Sequence, residues 1–166
     1  MKKTITIFFS LLLLGFTQSI KAQNTDELPK LRIYSSFSYN RPMQNMSKYE
    51  YGFGVYSNVD YNFNKYLAAR LDIGWNDFSG PETSYIDQNG NVHTEHPNMS
   101  VWDFTAGLRA MAGPAYIEAR GGYYTGVDSW GYVPAIGIVF WKLDLQASYN
   151  IVGDKEWATI RLGYYF

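Results

Sequence analysis

The chain of 166 residues contains no cysteine. That excludes a structural disulfide, a thiolate metal site, a catalytic thiol and a lipid-modified N-terminal cysteine, and with the last a bacterial lipoprotein. Long apolar runs are scarce. Beyond the first 22 residues the longest is VPAIGIVFW, residues 133–141, well short of the roughly 20 residues that a membrane-spanning helix needs. Positive charge is not in surplus either: 14 Lys and Arg stand against 15 Asp and Glu, and no basic patch argues for nucleic acid. No stretch keeps a 3.6-residue apolar period over a helix length. If such a chain enters a membrane, it does so as a barrel.

Aromatics make up 18% of the sequence, with 15 Tyr and 5 Trp, and Gly occurs 15 times. That richness leans toward β structure. The first 22 residues differ in character. Lys2 and Lys3 form a basic start, residues 5–16 are apolar apart from Thr6 and Ser10, and TQSIKAQN follows. This reads as a secretory signal peptide cut after Ala22, with an apolar run of about 12 residues that is too short to span a bilayer. Removing it takes away Lys2, Lys3 and Lys21 and leaves an acidic remainder. Residues 23–30, QNTDELPK, are expected to be a short disordered segment, and residues 31–166 to be the single domain.

From residue 31 onward period 2 recurs. Residues 31–40 place Leu31, Ile33, Phe37 and Tyr39 on one side and Arg32, Tyr34, Ser36, Ser38 and Asn40 on the other. The same alternation marks residues 51–62, 67–76, 102–111, 115–124, 133–140 and 143–151. It also marks the final ATIRLGYYF, residues 158–166, which sets Ala158, Ile160, Leu162, Tyr164 and Phe166 against Thr159, Arg161, Gly163 and Tyr165. Eight strands result. Three connections are short, at 63–65, 112–114 and 141–142; four are longer, at 41–50, 77–101, 125–132 and 152–156. Short turns on one rim and longer loops on the other match the layout of outer-membrane barrels.

The signal peptide, the eight alternating segments, the loop alternation and the closing YYF together resemble the small eight-stranded outer-membrane β-barrels, the family of OmpX and the OmpA transmembrane domain. The resemblance implies an all-β fold: an eight-stranded antiparallel up-and-down transmembrane β-barrel over residues 31–166, in the cell outer membrane. Outer-membrane lipid and lipopolysaccharide would surround it. The aromatic terminus resembles the signal read by the barrel-assembly machinery, which often carries a Gly where this chain has Arg161. A monomer without cofactor or metal is expected.

Period 2 does not say which face is inside. A soluble lipocalin-type barrel is apolar within; a membrane barrel inverts this. Mid-strand charges beside small Gly and Ser residues favour inversion. So do two apparent aromatic girdles. Tyr61, Phe63, Tyr66, Phe140, Trp141, Tyr164 and Phe166 lie toward the short turns; Tyr39, Tyr51, Trp75, Phe78, Trp102, Tyr123 and Tyr149 lie toward the loops. The Gly-x-Trp usual on a lipocalin's first strand is missing from residues 31–40. Inversion directs Arg32, Arg70, Arg109, Arg120 and Arg161 inward with Asp60, Asp72, Asp103, Glu118 and Asp144, a neutral set that should pair because isolated buried charge is costly. An eight-stranded barrel is just wide enough for side chains to fill, so this set would form a plug and not a pore. A tight turn at Gly113-Pro114 places Ala112 opposite Ala115 and Arg109 opposite Glu118, as an inward ion pair.

Loop 77–101 holds His93, His96, Glu95 and Asp87, and DQNGN (87–91) signals a hairpin, so a β-ribbon beyond the membrane is expected. Two His and a Glu form a weak metal motif, and a solvated loop is the favoured reading. The lipid-modifying outer-membrane barrels offer an enzymatic alternative, as an acyl hydrolase or acyltransferase acting on lipid A. The His-x-Ser motif of the deacylase type is absent, and no spacing among Asp77, Ser79, His93, His96 and Ser100 forms a triad. Tyr124, Trp130 and Tyr132 are aromatics at the fifth-to-sixth-strand loop, expected to form an interface belt more than a set of binding anchors. The favoured function is a non-enzymatic barrel with a structural or surface-interaction role, presenting loops 77–101 and 125–132 to an extracellular ligand. A secreted lipocalin-like binder of apolar ligands is the third alternative.

Overall fold

The computed structural model describes residues 29–86 and 91–166. The expected signal peptide, most of the segment expected to follow it, and residues 87–90 of the expected hairpin turn lie outside the described residues. Ten strands follow in order: β1 (Leu31–Pro42), β2 (Tyr51–Asn62), β3 (Leu67–Ser79), β4 (Thr83–Ile86), β5 (Val92–Glu95), β6 (Asn98–Ala112), β7 (Ala115–Thr125), β8 (Ser129–Phe140), β9 (Leu143–Val152) and β10 (Lys155–Tyr165). A short 3-10 turn, Gln44–Met46, lies between β1 and β2. Eight of the strands close an antiparallel barrel in the order β1-β10-β9-β8-β7-β6-β3-β2, while β4 and β5 form a separate two-stranded ribbon.

Closure is made by β10 against β1, in a register running from Tyr34 opposite Tyr165 to Pro42 opposite Trp157. Each barrel strand therefore has a neighbour on both sides, and the alternation of side chains decides what faces out. On β9, Leu143 and Leu145 are exposed while Asp144, Gln146 and Asn150 are buried. On β10, Ile160 and Leu162 are exposed and Thr159 and Arg161 buried. The same holds around the barrel: Leu71, Ile73, Phe104, Leu108, Ile117, Ile136 and Ile138 point out, and Arg70, Asp72, Arg109, Glu118 and Arg120 point in. A soluble ligand-binding barrel has the reverse arrangement. An apolar outer band with every strand paired is what a barrel in hydrocarbon requires, so the fold is a transmembrane β-barrel.

The strands run further toward the loop rim than the expected bounds. β3 continues to Ser79 and β6 begins at Asn98, so only residues 80–97 separate them. The expected long loops 125–132 and 152–156 are corrected to tight turns of three residues (126–128) and two (153–154). The cause is local. Gly126 and Asp128 take left-handed backbone angles, φ 83° and 56°, and reverse the chain at once. Trp130 and Tyr132 thereby join β8 and face outward, 74% and 57% exposed. Tyr124 and Phe78, expected at an exposed interface belt, instead point inward and are fully buried.

An arginine on the outer band tests the inversion directly. Ile160→Arg, midway along β10, should destabilise the lipid-embedded barrel by about 2–4 kcal/mol, measured by reversible denaturant unfolding from bilayers. A change within about 0.5 kcal/mol, as on an ordinary wet surface, would contradict it.

Candidate functional site

The interior is layered along the barrel axis. Near the short turns lies a cluster of ionised groups, all buried. Arg70 donates from Nε to Asp60 Oδ1 at 2.7 Å, and its Nη1 and Nη2 lie 3.1 Å from Glu118 and 3.3 Å from Asp144. Arg109 donates to Glu118 at 2.8 Å and to Asp144 at 3.0 Å. Arg120 pairs with Asp72 and lies 2.8 Å from Glu118, and Arg161 donates to Asp72 at 2.8 Å. Each carboxylate thus meets at least two guanidinium groups, which offsets the desolvation of both signs. The turn after Ala112 sets Arg109 opposite Glu118, as the hairpin register requires.

Tyrosines complete this cluster. The Tyr165 hydroxyl accepts from Arg109 at 2.9 Å and donates to Asp60 at 2.9 Å, and Tyr116 donates to Asp144 at 2.5 Å. The guanidinium carbons of Arg109 and Arg161 lie 3.6 and 3.5 Å from the ring centroids of Tyr116 and Tyr56. Stacking on an aromatic face stabilises a guanidinium that has lost its water. Tyr34 lies likewise under Arg70, 4.7 Å from ring centroid to guanidinium carbon; none of these four tyrosines was among the candidate residues, although all sit in the inward register of their strands.

Two of the ten expected charges stand apart from the ion pairs. Arg32 is opposite Asp60 in register, but Asp60 is taken by Arg70, and Arg32 lies half-buried over the Tyr165 ring at 3.6 Å. Asp103 is buried without an ion pair among the described residues. It faces Gly74 and Tyr124 across its two ladders, and its carboxylate fills the space that a Cβ on Gly74 would take.

Toward the loops, apart from Asp103, the interior is lined by amides and hydroxyls. Asn150 donates to Thr159 at 2.8 Å, Thr159 to Asn40 at 2.7 Å, and Asn40 and Tyr56 both to Asn76 at 2.8 Å. Above this chain sits an apolar cap of Met46, Phe78, Val101, Tyr124, Val133, Val152 and Trp157. The Trp157 ring packs edge-on to Phe78 at 5.4 Å and to Tyr124 at 5.8 Å. Met46 reaches it from the 3-10 turn, so the β1–β2 connection folds over the mouth. Charge pairing alone was expected to fill the lumen; the cap is an addition. Its signal was in the sequence, because Trp157 and Phe78 continue the inward alternation of β10 and β3 by one step.

Outside the barrel, β4 and β5 form the expected ribbon, with Tyr85 opposite His93 and Ile86 opposite Val92. The Tyr85 and His93 rings stack at 5.3 Å. Tyr85, Ile86 and Val92 are each more than half exposed. His96 lies 3.8 Å from Glu82, and no group of three metal-ligating side chains occurs among the described residues. Asp77 and Ser100 do meet: the Ser100 hydroxyl donates to Asp77 at 2.6 Å. Ser79 pairs with Asn98 across the same ladder. A nucleophilic serine needs a base that takes its proton, usually histidine, and this pair is Ser with Asp alone.

No protein-family model matches the chain, and no curated protein matches it in sequence. Among solved structures it is similar to Ail, the attachment invasion locus protein of Yersinia pestis, at 13% identity and a TM-score of 0.50, covering 82% of this chain and 97% of that one. A structure of Ail in complex with the heparin analogue sucrose octasulfate matches at 13% identity and a TM-score of 0.46, over 82% and 97% of the two chains. Neisserial surface protein A matches at 12% identity and a TM-score of 0.46, over 82% and 96%. The likeness to Ail shows a shared barrel fold.

The ion cluster is testable by a double-mutant cycle. Arg109→Met should cost about 3–5 kcal/mol by leaving the buried cluster of Asp60, Asp72, Glu118 and Asp144 one positive charge short, and Arg109→Met with Glu118→Leu should cost less than the sum of the two single changes. Denaturant unfolding in detergent micelles measures both; strict additivity would contradict the coupling.

Proposed function

We propose that this chain is an outer-membrane barrel, exported by its signal peptide, that acts through its surface and conducts nothing. The observation that carries the proposal is the double closure of the lumen, by paired charges near the short turns and by the Met46–Phe78–Trp157 cap near the loops. With buried side chains filling both ends of the axis, the lumen offers little room for solute passage or for an apolar ligand. What remains available is the outside: a smooth apolar band, and the β4–β5 ribbon carrying exposed Tyr85, Ile86 and Val92. A two-stranded ribbon alone is marginal in water, so it gains from a covering partner. The surface-interaction role is therefore assigned to the ribbon, replacing the pair of loops expected from the sequence, since 125–132 is mostly strand.

The rest of the reading follows from the same geometry. Outer-membrane lipid and lipopolysaccharide contact the apolar band. The barrel-assembly machinery engages β10, whose outward face alternates Ile160, Leu162 and Tyr164. The barrel works as a monomer, because closure leaves the barrel sheet itself no open edge for pairing with a second copy.

Planar-bilayer recording of the refolded mature chain tests the closed lumen. We expect no steady conductance, together with a shift in gel migration on boiling that reports a compact barrel. Stable steps in the nanosiemens range would overturn the proposal.

A further inference from the structure

We propose that the short-turn rim is a one-sided cationic and aromatic collar that binds the phosphate groups of anionic phospholipids in the leaflet it meets. This deepens the membrane reading above and rests on it. Lys30, Lys65 and Lys142 stand at three successive stations of this rim. In barrel order they span the arc β3-β2-β1-β10-β9-β8. The remaining turn, Gly113-Pro114 between β6 and β7, has no charge. Among the described residues no acidic side chain stands on this rim; Asp26 and Glu27 lie outside them. The loop rim is the opposite, with Glu50, Asp77, Glu82, Asp128, Asp154 and Glu156 against Arg41, Lys48 and Lys155.

Each lysine is held in place by local structure. The Lys30 carbonyl accepts from Asn62 N at 2.7 Å, and Asn62 Nδ2 donates to Pro29 at 2.7 Å, which ties the segment to the rim. In the β2–β3 turn, Asn64 Oδ1 accepts from the backbone of Tyr66 and Leu67 at 2.8 and 3.0 Å. Lys65 then lies 5.0 Å from the centre of the Tyr66 ring, and Lys142 lies 5.8 Å from that of Tyr164. Lys65 and Lys142 are thus each joined to an aromatic group that settles at a membrane interface. An ammonium on a long stem reaches from that level to the phosphate layer.

The β8–β9 turn supplies an independent sign. Trp141 has φ 55°, in the left-handed region that a two-residue hairpin turn normally fills with Gly or Asn. A bulky residue there is strained. The turn nevertheless keeps Trp141, 75% exposed, directly before Lys142 and after an equally exposed Phe140. Three quarters exposed, this side chain gains little from packing within the barrel to offset the strain; at a headgroup boundary it and Lys142 meet the glycerol and phosphate levels together. Anionic phospholipid is the partner that matches this arrangement, because the cations lie beside the apolar band and not on a surface remote from it.

The test uses the mature chain refolded into phosphatidylcholine vesicles that contain phosphatidylglycerol, with spin-labelled versions of each lipid reporting immobilised first-shell lipid. We expect phosphatidylglycerol to be enriched about fivefold, the equivalent of one lysine acting at an anionic surface. Enrichment should fall to near unity in K30Q/K65Q/K142Q, and also at about 1 M salt, where screening acts within about 3 Å. K48Q on the loop rim should leave it unchanged. K65E/K142E should exclude phosphatidylglycerol. Migration on gels before and after boiling checks that every variant is inserted and folded. Equal immobilisation of both lipids by the wild type, or enrichment that survives the triple change, would overturn the collar while leaving the membrane reading intact. A wild-type chain that fails to insert would remove both.

Discussion

Hydrocarbon offers no hydrogen-bond partner, and every other feature of this molecule follows from that deficit. A sheet edge in lipid would expose a row of N–H and C=O groups, each costing several kcal/mol. The pairing of β10 with β1 removes the last edge. Once the ring is closed, alternate side chains have no choice: one set faces lipid and the other faces an axis too narrow for anything but side chains. The apolar exterior and the charged interior are thus two results of one backbone requirement.

The interior answers with a gradient. Arginine–carboxylate pairs occupy the end near the short turns, amides and hydroxyls with Asp103 the middle, and aliphatic and aromatic groups the end near the loops. Small residues make the crowding tolerable. Gly54 and Gly74 leave space that Asn76 and Asp103 fill from neighbouring strands, and a methyl at either position would collide with them. The arrangement ties stability to completeness, because a guanidinium that loses one carboxylate is left desolvated with little to replace it.

Much of this was legible in the sequence, for a physical reason: a period of two survives in any strand whose faces meet different solvents. The count of eight barrel strands, the inward path of Arg70, Arg109, Arg120 and Arg161, and the Arg109–Glu118 pair all follow from alternation and one tight turn. Where the reading failed, it assumed that aromatics and turn residues mark the end of a strand. Trp130, Tyr132 and Trp157 lie inside strands, and Phe78 and Tyr124 point to the axis. Their alternation was intact, but their type suggested an interface. The inward register of Arg32 and Asp103 was legible, but their lack of an ion pair among the described residues was not. Whether a charge finds a partner depends on which rotamers reach across the barrel and which carboxylates are already taken.

The placement of β10 has a consequence for assembly. Its inward residues reach past the neighbouring strands, Arg161 to Asp72 on β3 and the Tyr165 hydroxyl to Asp60 on β2, while Tyr165 also meets Asp144 on the adjacent β9. A seven-stranded intermediate would keep those carboxylates short of partners and therefore wet. Joining the two edge strands and drying the axis are then one cooperative event, so a half-zipped barrel is an open, hydrated trough that lipid cannot accept.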